Sequence, residues 1–128
     1  MQALLDTNAF LWWVTNDSKL SSAARKVISD RQNHIFFSIV SAWEIVIKFQ
    51  IGKLPLPESP EIYIPNRITY YGFMVLPITM EDVLQIGKLK RFHNDPFDRL
   101  LIAQSQLRNF PIITADKKFN LYNVNLIW

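Results

Sequence analysis

The 128-residue chain has no cysteine. That excludes disulfides, thiolate zinc sites and thiol nucleophiles together. No apolar run approaches the roughly 20 residues that a membrane-spanning helix requires. No signal-peptide pattern opens the chain, because Ala3-Leu4-Leu5 is followed at once by an acid. The expectation is therefore a cytoplasmic protein without a membrane partner. Repeats, linkers and low-complexity tracts are missing too, so residues 1–128 are expected to form a single domain. Histidine is limited to His34 and His93.

What is present is an ordinary globular composition, 49% hydrophobic and 20% charged. The net charge of +3 comes from 14 basic and 11 acidic residues, a mild excess that says little by itself. If four acids are sequestered around a metal, the balance becomes 14 against 7, or +7, which suits a polyanionic partner.

Apolar and β-branched runs predict strands at Ala3–Leu5, His34–Ser38, Phe73–Leu76, Pro111–Ala115 and Val124–Trp128. Helical spacing appears at Leu20, Ala24, Val27 and Ile28. Ile39–Ile51 is apolar almost all round, which predicts a buried helix ended by Gly52. Pro55–Pro65 carries four prolines and predicts a loop, with a short helix resuming after Pro65. A capping-box pattern at Thr79–Asp82 starts a helix running to about Leu89. Pro96 starts another, which continues to about Leu107. Strands alternating with helices predict an α/β domain built on a parallel sheet covered on both faces. Phe10, Leu11, Trp12 and Trp13 are expected mostly in the core, with some of their surface left for a partner.

In such a sheet the active crevice lies beyond the carboxyl ends of the strands. Asp6 and Asp116 each follow a strand, Asp98 lies in the first turn of a helix, and Glu44 is the sole acid of its apolar helix. Each has a structural explanation. Asp6 could cap the next helix, Asp116 could begin a turn with Lys117 and Lys118, and Glu44 could pair with Lys48 four residues on. Together they would have to reach one edge by accident. Clustered carboxylates repel and raise one another's pKa, so a cation is needed to hold them, and oxygen-only ligands favour Mg²⁺ or Mn²⁺.

Four motifs, Leu5-Asp6-Thr7-Asn8, Ser41-Ala42-Trp43-Glu44-Ile45, His93-Asn94-Asp95-Pro96-Phe97-Asp98-Arg99 and Thr114-Ala115-Asp116, occur in order across the chain. In this the sequence resembles the PIN-domain ribonucleases, and among them the VapC-type toxins of bacterial toxin–antitoxin pairs. The resemblance implies a PIN-like three-layer sandwich whose central parallel sheet of about five strands is ordered 3-2-1-4-5 and flanked by helices. It implies that Asp6, Glu44, Asp98 and Asp116 form a catalytic metal site that hydrolyses RNA phosphodiesters to 5′-phosphate and 3′-hydroxyl ends. It also implies a cognate antitoxin and a homodimer. Asn8, Thr114, Asp95 and Arg99 are expected to position carboxylates, water or substrate. Lys88, Lys90, Arg91, Lys117 and Lys118 flank the acids and are expected to contact RNA phosphates.

Other readings fit less well. Metal-free acid–base cleavage needs a pair of histidines, and His34 opens a strand. A phosphate-accepting receiver domain needs paired acids near the first strand, and a haloacid-dehalogenase-like phosphatase needs an acid at position 8, which is Asn8. A stand-alone RNA-processing nuclease or a non-catalytic acidic-pocket binding module are the remaining alternatives.

Overall fold

A computed structural model describes all residues 1–128. Five strands, β1 (Gln2–Leu5), β2 (His34–Ser38), β3 (Met74–Leu76), β4 (Ile112–Ile113) and β5 (Leu126–Ile127), form one sheet. Its order is β3-β2-β1-β4-β5, and every pairing is parallel, with Leu4 opposite both Phe36 and Ile112. The 3-2-1-4-5 order matches the expectation. Six helices complete the fold: α1 (Thr7–Val14), α2 (Ser22–Ser29), α3 (Ile39–Gln50), α4 (Pro60–Tyr71), α5 (Met80–Ile86) and α6 (Pro96–Arg108).

Strand alternation sorts the core into two sides. Ala3, Leu5, Ile35, Phe37 and Ile113 pack against Phe10 of α1, Ala24 and Ile28 of α2, and Tyr63 and Ile64 of α4. Leu4 and Ile112 face the other way, towards Leu100, Leu101 and Ile102 of α6. Removing one such fully buried leucine from water contributes about 2 kcal/mol. No helix is long and apolar enough to cross a membrane.

Several boundaries differ from those expected. Helix α4 begins at Pro60 and carries Pro65 inside it, where a loop was expected up to Pro65. Pro60 occupies the first turn, where its missing N–H costs nothing, and burial of Tyr63 and Ile64 outweighs the bond lost at Pro65. Helix α3 is not buried all round, since Ile39 and Trp43 are exposed. Helix α5 ends at Ile86, after which three successive i→i+3 bonds carry the chain to Leu89. Strands β4 and β5 are only two residues long. Trp12 and Trp13 are half-buried against the first core cluster, as expected for core aromatics.

A buried polar network fixes the two helices that matter most for the site. Asp82 is fully buried and completes a capping box with Thr79, accepting from its amide at 2.9 Å. The same carboxylate accepts from Arg108 at 2.7 Å and from Gln104 at 3.1 Å. Gln104 accepts in turn from the Ser38 hydroxyl at 2.6 Å, and that hydroxyl accepts from the Val40 amide to cap α3. The end of β2, the start of α3 and the middle of α6 are thus tied to one another.

Burial alone would push the Asp82 carboxyl up, but Arg108, the Thr79 amide and Gln104 together hold it below its ordinary 3.8. A depressed folded pKa stabilises the fold above the unfolded value and loses that contribution as pH falls through the folded one. Asp82→Asn is therefore expected to cost about 3 kcal/mol at pH 7, because Arg108 is left without its partner. Urea denaturation at pH 7 and pH 3 should show the difference between the two proteins shrinking at the lower pH.

Candidate functional site

The strand order reverses at β1, so the crevice opens where the chain leaves β1 and β4 on opposite courses. Asp6 stands at that point, with only 7% of its surface exposed. Its Oδ1 caps α1 by accepting from the Ala9 amide at 2.6 Å, and its Oδ2 accepts from the Thr114 hydroxyl. The Thr114 hydroxyl oxygen accepts from the Asp116 amide at 3.0 Å. One buried hydroxyl therefore links the residues that succeed β1 and β4. Asp116 caps the 3-10 helix Lys117–Leu121 by accepting from the Lys118 amide at 2.9 Å.

Glu44 is buried on α3. Its Oε1 accepts from the Thr7 hydroxyl at 2.6 Å, and that hydroxyl lies 2.9 Å from the hydroxyl of Ser41. Its Oε2 lies 2.5 Å from the Lys48 ammonium. The surface-pair explanation for Glu44 is therefore half right: the pair forms, but around a carboxylate that faces inward. Thr7 and Ser41 were not singled out as site residues from the sequence. They stand beside Asp6 and within the Glu44 motif, and a hydroxyl one helical turn from a buried acid was the available signal.

Asp98 lies in the first turn of α6, and its Oδ2 is 3.3 Å from His93 Nε2. Asp95 is the N-cap of α6, accepting from the amides of Phe97 at 2.9 Å and Asp98 at 3.2 Å. Trp43 and Phe97, each next to one of the acids in sequence, meet edge to face with centroids 4.9 Å apart. Asn8 is exposed, as are Lys88, Lys90, Arg91, Lys117 and Lys118. Arg99 points away from the acids. It is buried and donates to the Lys90 carbonyl at 2.9 Å and the Tyr122 hydroxyl at 3.2 Å.

Burial pushes Asp6 up to about 6 from an ordinary 3.8, against the hydrogen bonds from Thr114 and Ala9, and the charges of Asp98 and Glu44 add to the rise. Asp98 is likewise raised to about 6 by burial, then by Asp95, with Glu44 and Asp116 contributing and the His93 bond opposing. Asp6, Glu44, Asp98 and Asp116 thus share one field of repulsion. They do not close into a cage, since no three acidic or histidine side chains converge on a single ion position. An open wall of oxygen donors around two destabilised carboxylates fits Mg²⁺, which keeps much of its water and takes one or two carboxylates.

A carboxyl raised on folding stabilises the folded state below its unfolded value, and the benefit is lost as pH rises through the folded one. The metal-free protein should thus lose stability between about pH 4 and pH 6 through Asp6 and Asp98. In Asp6→Asn the loss should be smaller and the melting temperature at pH 7 equal to or above that of the unaltered chain. Thermal melts in chelator at half-unit pH steps measure both. A lower melting temperature for Asp6→Asn throughout would make Asp6 a helix cap alone.

Comparison with known proteins matches a PIN domain model to residues 3–124. Over 54 residues the chain is 41% identical to Ribonuclease VapC16 of Mycobacterium tuberculosis, a stretch covering 42% of this chain and 38% of that protein. The fold resembles VapBC2 of Rickettsia felis bound to a promoter DNA fragment (TM-score 0.70, 16% identity, 98% of this chain and 97% of that one). It also resembles VapBC-1 of Haemophilus influenzae (TM-score 0.69, 20% identity, 98% of this chain and 96% of that one). At those identities the two structures speak for the fold alone. The family match spans nearly the whole sheet and all four acidic motifs, and the chain belongs to the PIN-domain family.

Proposed function

We propose that the chain is a Mg²⁺- or Mn²⁺-dependent endoribonuclease, the VapC-type toxin of a toxin–antitoxin pair, active in the cytoplasm. One observation carries the chemistry. Asp6 and Asp98, from distant parts of the sequence, are raised to about 6 by burial, with the charges of Asp98 and Glu44 adding to the rise at Asp6 and those of Asp95, Glu44 and Asp116 at Asp98. Asp6, Glu44, Asp98 and Asp116 would hold the ion between them, one or two as direct ligands and the others through its water. Bound there, a divalent ion supplies an acidic water and neutralises charge growing on the phosphate. The chain's own residues supply the rest. Thr114 and the Ala9 amide fix the Asp6 carboxylate, Thr7 fixes Glu44, and α6 presents Asp98 from its first turn. The exposed Lys117 and Lys118 after Asp116, and Lys88, Lys90 and Arg91 before Asp95, would hold flanking phosphates of the RNA strand. The family resemblance implies two further partners, a cognate antitoxin and a second copy of the chain.

The two aspartates of His93–Leu101 separate structure from chemistry. Asp95 satisfies two amides at the start of α6, so Asp95→Ala should cost about 1 kcal/mol of stability. Asp95→Asn, which keeps a capping oxygen, should be mild in both folding and cleavage. Asp98 makes no cap, and Asp98→Asn should lower the cleavage rate by orders of magnitude with little change in melting temperature. RNA cleavage with added Mg²⁺, Mn²⁺ or chelator, beside thermal melts of the three variants, tests this. Undiminished cleavage in chelator would exclude the metal, and an inactive Asp95→Asn beside an active Asp98→Asn would exchange their roles.

A further inference from the structure

We propose that His93 is a positioning residue for Asp98, held in a single tautomer by Tyr122 and Arg99. The role rests on the ribonuclease function proposed above, but its first readout does not.

Both ring nitrogens of His93 are engaged. Nδ1 lies 2.6 Å from the Tyr122 hydroxyl and Nε2 lies 3.3 Å from Asp98 Oδ2. The side chain is only 14% exposed, and its ring packs against that of Tyr122 at 5.5 Å. The direction of each bond is set by what each group is able to give. A guanidinium only donates, so at Arg99 Nη1, 3.2 Å away, the Tyr122 oxygen is the acceptor. Its own proton is free to donate to Nδ1, and an ionised Asp98 only accepts, which puts the proton of the neutral ring on Nε2. A neutral imidazole that accepts at Nδ1 carries its proton on Nε2, which faces the carboxylate of Asp98. Arg99, Tyr122, His93 and Asp98 thus form a chain of donors running in one direction and ending on the acid.

The anchor of that chain is well placed to hold still. Arg99 is one residue beyond Asp98 on α6 and is buried. Its donors reach the carbonyls of Ile86 at 3.4 Å and Lys90 at 2.9 Å, so it fastens the segment that precedes α6 and carries His93. Tyr122 lies just beyond the 3-10 helix that Asp116 caps. Two of the four acids are thereby referred to one rigid group. Asp98 has no backbone amide bound to its carboxylate, whereas Asp6 and Asp116 each have one. His93 supplies the missing constraint. Hydrogen-bond partners of this kind orient ligating carboxylates, and their loss typically lowers metal affinity or activity 10- to 100-fold.

The tautomer is read by ¹⁵N–¹H correlation of the imidazoles in metal-free protein at pH 8, where an ordinary histidine is neutral. His93 should show a proton on Nε2, and Tyr122→Phe should lose that fixed preference while His34 is unmoved. Calorimetric titration with Mg²⁺ alone should show affinity about tenfold weaker or more in His93→Ala and in the space-filling His93→Leu. His93→Gln, whose amide can donate to Asp98, should recover most of it. In RNA cleavage, kcat should follow Mg²⁺ affinity across these variants, with KM for RNA little changed. A proton on Nδ1 in the native protein, or a His93→Leu that binds Mg²⁺ as tightly as the native chain, overturns the proposal. The expected tautomer and Mg²⁺ affinities in a protein that never cuts RNA would instead overturn the ribonuclease function and leave the positioning role intact.

Discussion

The carboxylate of Asp6 is almost shut off from water, and much of the molecule depends on that. An acid at the end of the central strand of a covered sheet has lost most of its hydration, and each further acid brought near it adds repulsion. The fold accepts this cost because the surrounding donors are numerous and rigid. A helix amide and a buried threonine hydroxyl meet Asp6, a second threonine meets Glu44, and a histidine meets Asp98. These donors soften the repulsion without abolishing it, which leaves the wall receptive to a cation.

The chain treats its most deeply buried acid in the opposite way. Asp82, which meets the C-terminal half of α6 rather than its first turn, has a guanidinium, an amide and a backbone N–H, and it stays ionised well into acid. One buried carboxylate is fully compensated and ties α5, α6 and β2 together, while Asp6 and Asp98 remain under-compensated at the edge. Titration therefore pulls on the fold in opposite senses at its two buried acidic centres. A structural acid and a chemical acid can be told apart here by what is missing around them.

Much of this is legible in the residues. The apolar runs Ala3–Leu5 and His34–Ser38, the capping box at Thr79 and the proline after Asp95 mark most elements, because each carries a local mechanism. The 3-2-1-4-5 order came with the family resemblance, since strand order has no local signal. Helix α4 departs from expectation because proline's local cost is visible in sequence, whereas the burial of Tyr63 and Ile64 that offsets it is a tertiary matter. The acids stand out by their placement after strands, yet their partners do not. Thr7 and Ser41 are marked only by their nearness to Asp6 and Glu44, and Arg99, expected near substrate, is turned inward by carbonyls that only the folded segment from Ile86 to His93 brings to it.

The ammonium of Lys48, half-exposed and 2.5 Å from Glu44, gives the acidic wall a counterion of its own. It is tethered to the same helix one turn away, so it is present at full effective strength from the moment α3 forms. A divalent ion bound at Glu44 would not meet a bare carboxylate; it would exchange with a monovalent group already there. The charge in contact with that carboxylate would then rise by one unit rather than two, and the displaced lysine, still anchored to α3, would stand at the rim as a free cation. Loading the site and making its mouth attractive to an anion would become the same event.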